Sequence, residues 1–427
     1  MTTHYSVAII GGGQAGLSMS YCLQAQSIDH IIFEKHEIGY SWRSLRWDSF
    51  CLVTPNWQCT LPGYHYPGND PEGFMQRDEI VQYIKDYAAS FNPPIKEGVE
   101  VTRLQQREDE RIYELSTTIG EFTADQVVIA TGGYHRPKIP ALRERFAPDV
   151  QQIHSSQYKN PASLPDKPIL IVGTGQSGCQ IAEDLHLAGK QVYLCVGGAP
   201  RSPRQYRGKD VVAWLDELGY YDLSIDHYED KQKVRHKTNH YVTGRGGGRE
   251  IDLRHFALQG MKLYGRLADV QDTTLHFKSD LKQNLNAADA VAQSIKQTID
   301  NFIEKNNIDA PLESAYEPAW EPVAEITELD YSAAEIGTVI WCTGYTSNYE
   351  WIKIPVFDGT GYPGHDRGIT PIHGLYFLGL PWLYTWGSGR FSGIARDAAY
   401  LADSIVAKQR VQSASNSAVV NQVALGS

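Results

Sequence analysis

Two glycine-rich segments of the chain have the spacing of a phosphate-binding turn. The first is Gly11-Gly12-Gly13-Gln14-Ala15-Gly16, and the second is Gly173-Thr174-Gly175-Gln176-Ser177-Gly178. In a G-x-G-x-x-G pattern the first glycine makes a tight turn, the second lets the backbone approach a pyrophosphate, and the third lets a helix pack closely on a strand. Both segments are therefore predicted to bind the diphosphate of a dinucleotide at the amino end of a helix.

The elements around each segment fit this chemistry. A short apolar run precedes each glycine turn, a helix-compatible stretch follows it, and a second apolar run comes next. These segments are Tyr5–Ile10, Leu17–Gln26 and Ile31–Phe33 for the first turn, and Pro168–Val172, Cys179–Leu187 and Gln191–Val196 for the second. Strand, turn, helix and strand form the β-α-β unit of a dinucleotide-binding domain. The chain is predicted to bind two dinucleotides.

Two further apolar runs each end in Thr-Gly. They are Gln126–Gly133, which contains Thr131 and Gly132, and Thr338–Tyr345, which contains Thr343 and Gly344. Each run is either an ordinary parallel strand with a tight turn or one half of a repeated dinucleotide fold. Because they accompany two glycine turns, we favour the repeated fold, and the two Thr-Gly pairs are predicted to line the cofactor sites.

The residue that closes the second strand differs between the two units. In the first unit it is Glu34, whose carboxylate can accept hydrogen bonds from the ribose diol of FAD or NAD. In the second unit the equivalent residue is Val196, so no carboxylate would repel a 2′-phosphate. Arg201 and Arg204 follow, and planar guanidinium groups suit phosphate recognition. We expect NADPH in the second site; the alternative is that these cations only solvate a loop.

The charge balance limits the partners of the chain. The 427 residues include 39 Lys and Arg against 50 Asp and Glu, a formal net charge of −11. Such an acidic chain is a poor non-specific binder of nucleic acid or of an anionic membrane. No apolar run approaches the roughly 20 residues of a membrane span, and the first residues lack the basic start of a signal peptide. We expect a cytoplasmic protein that binds neither nucleic acid nor membrane.

Side-chain nucleophiles and metal ligands have no recognisable motif in this sequence. The six cysteines include no Cys-x-x-Cys pair, so neither a zinc ribbon nor a dithiol redox pair is predicted. A Gly-x-Ser-x-Gly elbow and a His-Glu-x-x-His helix are also missing, and no metal site is predicted. The cofactors are therefore expected to carry the chemistry.

The predicted fold class is α/β, with two Rossmann-like dinucleotide-binding domains. The first domain is expected over 1–160, and the chain is expected to end in a flexible tail. The second domain is expected over 161–334, with an inserted mixed α/β segment at about 215–320. Apolar periodicity inside that segment predicts a helix over about 281–306.

Together these residues resemble the flavin-containing monooxygenase family, the class B flavoprotein monooxygenases, over nearly the whole chain except parts of 215–320. Gly39-Tyr40-Ser41-Trp42-Arg43 is similar to the family's Gly-Gly-x-Trp segment beside FAD. Gly374–Gly379 and Gly393–Ala398 resemble the segment that returns to the FAD domain near the flavin ring. The resemblance implies a discontinuous FAD domain formed by residues 1–160 and 335–427, FAD in the first site with Ser41 and Trp42 beside it, and NADPH in the second.

The family's own signature, Phe-x-Gly-x-x-x-His-x-x-x-Tyr or Phe, is only partly present. His154 and Tyr158 keep its spacing, whereas Phe146 stands eight residues before His154 instead of six and Pro148 replaces the glycine. His154 is either a linker residue or a proton-transfer residue, and we favour the linker. The Trp-Pro that the Baeyer–Villiger branch carries after this histidine is missing, which disfavours ketone oxidation.

Two further features bear on catalysis. Asn56, which follows Leu52-Val53-Thr54-Pro55, resembles the family's asparagine beneath the flavin and is the predicted catalytic residue; the alternative is a turn asparagine. Three aromatic residues follow the returning strand and either pack in the core or form a wall over the substrate. They are Trp382, Tyr384 and Trp386.

The resemblance implies that NADPH reduces FAD, and that reduced flavin captures O2 as a C4a-(hydro)peroxide. One oxygen atom then passes to a small soft nucleophile: an amine nitrogen, a sulfide sulfur or an indole carbon. The implied partners are O2 and a small-molecule substrate, and a homodimer is left open. Other open functions are an NADPH oxidase or flavin reductase that releases peroxide, Baeyer–Villiger oxidation, and a nucleotide-binding redox sensor.

Overall fold

The structure is a computed structural model that describes residues 2–107 and 112–425, with side chains as far as Gln409. It is built from two main sheets with helices packed against them. Within the described ranges no helix is long and apolar enough to cross a membrane. The helices are Gln14–Ala25 (α1), Tyr40–Ser44 (α2), Arg77–Phe91 (α3), Gln176–Leu187 (α4), Val211–Glu217 (α5), Lys231–His236 (α6), Leu253–Leu258 (α7), Leu281–Asn306 (α8) and Ile394–Leu425 (α9).

The first sheet combines a parallel half with an antiparallel meander. Its strands are Thr3–Ile10 (β1), His30–Phe33 (β2), Ile95–Lys96 (β3), Val101–Gln106 (β4), Tyr113–Thr117 (β5) and Gly120–Ile129 (β6). They lie in the order β3-β2-β1-β6-β5-β4, with β1 parallel to both β2 and β6. The last four residues of β1 are all buried, as expected of a parallel strand covered on both faces.

The second sheet repeats the parallel half of the first. Its strands are Gln151–His154 (β7), Ile169–Val172 (β8), Val192–Cys195 (β9), Lys262–Tyr264 (β10) and Thr338–Trp341 (β11). They lie in the order β7-β11-β8-β9-β10 and all pairs are parallel. Every residue of β8 and of β11 is buried, which explains their unbroken apolar runs. The predicted α/β class with two Rossmann-like units is confirmed.

The chain returns to the first sheet after completing the second. Leu375–Phe377 (β12) pairs in parallel with Val127–Ile129 of β6, so the first unit is built from both ends of the sequence. Helix α9 then packs against α1. Its backbone is helical past Lys408, where the sequence predicts a flexible tail. The side chains beyond Gln409 lie outside the described residues, and the flexibility of the tail stays a prediction.

The segment at about 215–320 is less separate from the second domain than the sequence predicts. Strand β10 lies inside it and forms the edge of the second sheet beside β9. The predicted helix over 281–306 is confirmed as α8, which ends where Asn307 adopts a left-handed φ of 51°. The remaining short strands pair antiparallel. One three-stranded sheet contains Leu267–Gln271, Thr274–Phe277 and Glu328–Asp330. The two-stranded pairs are Thr60–Leu61 with Tyr64–His65, Arg136–Pro137 with Tyr345–Thr346, and Gln205–Tyr206 with Lys209–Asp210.

The buried face of α8 offers a test of this packing. Ile299 is fully buried against Trp214 and Val211 of α5. We expect Ile299→Ala to lower the free energy of unfolding by about 2–5 kcal/mol, because it removes buried methyl groups and leaves a cavity. Leu312→Ala is the matched control, since Leu312 is 90% exposed and should change little. Urea unfolding followed by circular dichroism measures both; equal midpoints for the two variants would contradict the packing.

Candidate functional site

The first glycine turn can be made only from glycine at two of its positions. Gly11 has a φ of +107°, and a Cβ there would lie 2.6 Å from the carbonyl oxygen of Ala130 at the end of β6. A Cβ on Gly16 would lie 1.8 Å from the carbonyl oxygen of Gly11. A Cβ on Gly13 would meet no atom within 4 Å. The turn is therefore packed against the protein on one side and open at Gly13, as a diphosphate requires.

Glu34 is fixed at the end of β2 beside this turn. Its Oε2 accepts a hydrogen bond from the backbone N–H of Gly12 (2.6 Å), and its Oε1 accepts one from the backbone N–H of His36 (2.9 Å). Both contacts hold the carboxylate in one orientation at the carboxyl edge of the sheet. The side chain is only partly buried, so it keeps acceptor capacity for a ribose diol.

The second glycine turn has the same geometry. Gly173 has a φ of +105°, and a Cβ there would lie 2.8 Å from the carbonyl oxygen of Cys342 at the end of β11. A Cβ on Gly178 would lie 1.9 Å from the carbonyl oxygen of Gly173, whereas one on Gly175 would meet nothing within 4 Å. Residues Gln176 and Ser177 begin α4, so their backbone N–H groups belong to the amino end of that helix.

The two Thr-Gly pairs lie beside these turns and have different partners. Thr131 Oγ1 is buried and has no hydrogen-bond partner among the described residues, which leaves it available to a ligand. The carbonyl of Gly132 accepts a hydrogen bond from Tyr349 Oη (3.0 Å). Thr343 Oγ1 donates to the carbonyl of Lys138, so that hydroxyl is already used by the protein.

His154 contacts the second Thr-Gly pair. Its Nε2 lies 3.0 Å from the carbonyl oxygen of Gly344, and its Nδ1 lies 3.0 Å from Ser156 Oγ. The side chain is fully buried, and burial lowers the pKa of the imidazole. These contacts tie the segment between the two domains to the end of β11, which agrees with a linker role.

A second set of residues closes over the amino end of α1. Trp42 on α2 points its Nε1 at Gln14 Oε1 (3.4 Å) and stacks on Phe391, with ring centroids 5.6 Å apart. Gln14 Nε2 donates to the carbonyl oxygen of Gly389 (3.2 Å). Ser41, on the same short helix, is exposed. Gln14 therefore joins the first glycine turn to α2 and to the loop that follows β12, around the place that a flavin ring would need.

The predicted catalytic role of Asn56 is not supported by its contacts. The side chain is 3% exposed, and its Oδ1 accepts a hydrogen bond from the backbone N–H of Met75 (2.9 Å). Its Nδ2 donates to the carbonyl oxygen of Asp70 (2.9 Å). The amide thus holds the loop at 70–75 in place. We correct the prediction: Asn56 is a structural turn residue, which was the alternative.

Arg201 and Arg204 also differ from their predicted role, because both guanidinium groups are only 2% exposed. Arg201 pairs with Glu250 and lies 2.7 Å from Asp289 Oδ1, and its guanidinium stacks over Tyr316 at 4.3 Å. Arg204 Nη2 lies 2.6 Å from Asp210 Oδ2. Arg204 Nη1 donates to the carbonyl of Val53 (2.7 Å), and its guanidinium covers the ring of Phe74 at 4.1 Å. Neither cation is free to hold a 2′-phosphate, nor does either solvate a loop.

Arg390 is a cation that the sequence analysis missed. Its guanidinium lies 4.0 Å above the ring of Trp386, and its Nη2 donates to Asn239 Oδ1 (2.8 Å). Tyr221 packs against the same indole, with ring centroids 4.8 Å apart. Burial lowers the pKa of Arg390, and no carboxylate in the described part of the chain forms an ion pair with it. A single arginine in a glycine- and serine-rich run carries no motif that would have revealed it.

The three aromatic residues after β12 therefore have different contacts. Trp386 contacts Arg390 and Tyr221 and belongs to the loop that Gln14 contacts. Trp382 packs edge-on against Tyr228, and Tyr384 lies under the guanidinium of Arg367 at 3.8 Å. Trp386 is thus the member of the group nearest along the chain to Gly389, which Gln14 contacts.

The two turns, with the carboxylate of Glu34 beside the first and Val196 in the equivalent position of the second, indicate a protein with two dinucleotide sites. Residues 8–263 match the pyridine nucleotide-disulphide oxidoreductase family, and the chain belongs to that family, whose members bind FAD and NADP(H). The open positions at Gly13 and Gly175, the carboxylate of Glu34 and the unpartnered Thr131 hydroxyl fit these cofactors.

Several known proteins are similar to this chain over different lengths. A CzcO-like oxidoreductase of Geobacillus kaustophilus is 34% identical over 94% of this chain and 98% of its own length. A probable indole-3-pyruvate monooxygenase of Arabidopsis thaliana is 31% identical over 48% of this chain and 54% of its own. A flavin-containing monooxygenase from Stenotrophomonas maltophilia shares the fold with a TM-score of 0.65, at 18% identity over 95% of this chain and 99% of that one.

Substitutions at the two open glycines, Gly13 and Gly175, test the two sites separately. A valine at Gly13 or at Gly175 would meet no protein atom within 4 Å of its Cβ, so it should block only the ligand. We expect Gly13→Val to lose bound flavin and Gly175→Val to keep flavin but lose NADP+ affinity at least about 100-fold. Flavin absorbance and calorimetric titration with NADP+ measure these, and each variant is the control for the other. Flavin loss from both would contradict separate sites.

The buried arginines give a second test. Arg201→Gln leaves Glu250 without its cation and leaves Asp289 paired with Arg254 alone, so we expect a loss of about 3–5 kcal/mol of stability. The ratio of the dissociation constants for NADP+ and NAD+ should stay unchanged. Thermal unfolding and calorimetric titration measure the two quantities. A shift of that ratio toward NAD+ with an unchanged melting temperature would restore the original prediction.

Proposed function

We propose that this chain is an NADPH-dependent FAD monooxygenase that places one atom of O2 on a small soft nucleophile. Its cofactors and its class as a flavin-dependent oxidoreductase follow from the family. The oxygenation and its substrate are the proposal. The observation that supports the proposal is the state of the cysteines. This state matters because the family also includes disulphide reductases.

All six cysteines of the chain are free thiols in the described structure. Burial raises the pKa of the thiols of Cys22, Cys51, Cys59 and Cys342 to about 12, and it also raises those of Cys179 and Cys195. A thiol must be deprotonated to attack a disulfide. With no close sequence pair and no accessible thiolate, the chain lacks the second redox centre that disulfide reduction needs. The state of the cysteines therefore favours oxygen over a disulfide as the acceptor of electrons from reduced flavin.

When bound, FAD supplies the electron transfer and the activation of oxygen. The chain's own residues hold the reactants. The amino ends of α1 and α4 and the open glycines receive the two diphosphates, and Glu34 holds a ribose. Trp42, Phe391 and Gln14 close the space around the first turn and reduce the access of water to it.

The residues beside that space support a flat, electron-rich substrate. Trp386 and Tyr221 form an aromatic surface, and Arg390 adds a positive charge without a carboxylate partner. Aromatic walls bind flat apolar groups, and an indole or aryl sulfide would fit this surface. A relative named as an indole-3-pyruvate monooxygenase agrees with this choice. Amine nitrogen, sulfide sulfur and indole carbon remain the three candidate acceptors.

The second candidate is an NADPH oxidase that releases peroxide. The space around Trp386 is partly exposed, so water can reach it. Ketone oxidation of the Baeyer–Villiger type is disfavoured, because the residues after His154 do not match that branch. A cytoplasmic location and a homodimer stay predictions.

Coupling of coenzyme use to product separates these functions. With 18O2 and an indole, a thioether or a tertiary amine, we expect NADPH consumption to rise and one 18O atom to appear in the product. Peroxide release should fall well below the NADPH consumed. Gly13→Val, without flavin, is the control and should consume almost none. Peroxide release equal to NADPH consumption with every substrate would identify an oxidase, and no NADPH consumption at all would indicate a sensor.

A further inference from the structure

The internal repeat locates where a coenzyme's adenosine ribose must lie in the second unit. In the first unit the backbone N–H of Glu34 donates to the carbonyl of Lys96, the last residue of β3 (3.0 Å). In the second unit the backbone N–H of Val196 donates to the carbonyl of Tyr264, the last residue of β10 (2.8 Å). Val196 therefore occupies the structural position of Glu34, and the ribose 2′ position belongs next to it.

The residues directly after β9 carry no charge that could recognise a phosphate there. Val196 is followed by Gly197 and Gly198, and a Cβ on Gly198 would meet no atom within 4 Å. The next cations along the chain, Arg201 and Arg204, are buried in ion pairs with carboxylates of the protein. Recognition of a 2′-phosphate must therefore come from another element at the same edge of the sheet.

Arg266 is the cation that lies there. It stands two residues after Tyr264, the neighbour of Val196, at the carboxyl end of β10. The start of α8 meets this place as well, because Asn284 Nδ2 donates to the carbonyl of Val196 (3.0 Å). Asp280, one turn earlier, accepts hydrogen bonds from both the backbone N–H (2.9 Å) and the Nε (2.6 Å) of Arg266.

This arrangement orients the guanidinium and leaves half of it free. Asp280 is 8% exposed and occupies the Nε side of Arg266, whose side chain is 54% exposed. Nη1 and Nη2 have no partner among the described residues, so their N–H groups are donors that a ligand can use. Two parallel N–H groups held in a plane match the oxygens of a phosphate monoester.

We propose that Arg266 binds the 2′-phosphate of the pyridine dinucleotide and sets the preference for NADP(H) over NAD(H). Asp280 is the positioning residue that holds the guanidinium. This inference rests on coenzyme binding at the second turn and does not depend on the oxygenation chemistry. Lys278 is exposed, and its backbone N–H donates to the carbonyl of Arg266 (2.9 Å), so its charge lies near the same site.

The test is a binding measurement on the FAD-loaded protein, with adenosine 2′,5′-bisphosphate and 5′-AMP as probes. The wild type should bind the bisphosphate more tightly. Arg266→Gln should weaken the bisphosphate about 10- to 100-fold, the effect of one charge-assisted contact, and leave 5′-AMP unchanged. The dissociation constants for NADP+ and NAD+ should show the same difference, with weaker binding of NADP+ and unchanged binding of NAD+. Calorimetric titration reports all four constants without turnover.

Two further variants keep the result interpretable. Arg266→Gln leaves Asp280 buried without its cation, so the double variant Arg266→Gln, Asp280→Asn removes both charges together and should show the same selective loss with a near-normal melting temperature. Arg136→Gln is the matched control, because Arg136 is also 54% exposed and ion-paired but lies on the short strand Arg136–Pro137, outside the second sheet. Equal loss of both probes in the double variant, or no loss of either, overturns the proposal, as does a wild type that binds both probes equally.

Discussion

In each glycine turn the third glycine packs directly against the carbonyl group of the first. A single added Cβ at Gly16 or Gly178 would fall 1.8 or 1.9 Å from the carbonyl oxygen of Gly11 or Gly173. This contact allows the helix to begin directly at the end of the strand, so the unsatisfied N–H groups of α1 and α4 face the edge of each sheet. The position of both cofactors depends on it.

A second contact aligns each turn with the strand beside it. Gly11 packs on the carbonyl of Ala130 and Gly173 on that of Cys342, so β6 and β11 stand in the same relation to their turns. The central strand orders β2-β1-β6 and β9-β8-β11 are accordingly equivalent. Parallel strands end at one edge, and a ligand bound there is reached by every loop that follows them. This explains how residues as distant as Glu34, Thr131 and Gly389 come together around the first turn.

Sequence reasoning succeeded where the physical cause is local. The glycine turns, the strand ends and the amphipathic helix α8 each depend on residues within one turn or one strand of each other. It failed for side chains whose partners are remote. Arg201 looked free because Glu250 and Asp289 are far along the chain, and Asn56 looked catalytic because its partners at Asp70 and Met75 form part of another loop. The role of a charged or amide side chain cannot be predicted from the sequence until its partner in the fold is known.

Helix α4 connects the coenzyme turn to the other domain through one buried carboxylate. Asp184 accepts hydrogen bonds from Ser49 Oγ and Tyr158 Oη and pairs with Arg245 Nη1, each at 2.6 Å. Ser49 belongs to the first domain, so rotating the second domain would separate it from Asp184 and leave this carboxylate, only 4% exposed, short of partners. Losing one hydrogen bond to a buried charge costs about 1.5–3 kcal/mol. Helix α4, which is predicted to receive the coenzyme diphosphate, is therefore held at a fixed place relative to the first turn, as electron transfer between two bound cofactors requires.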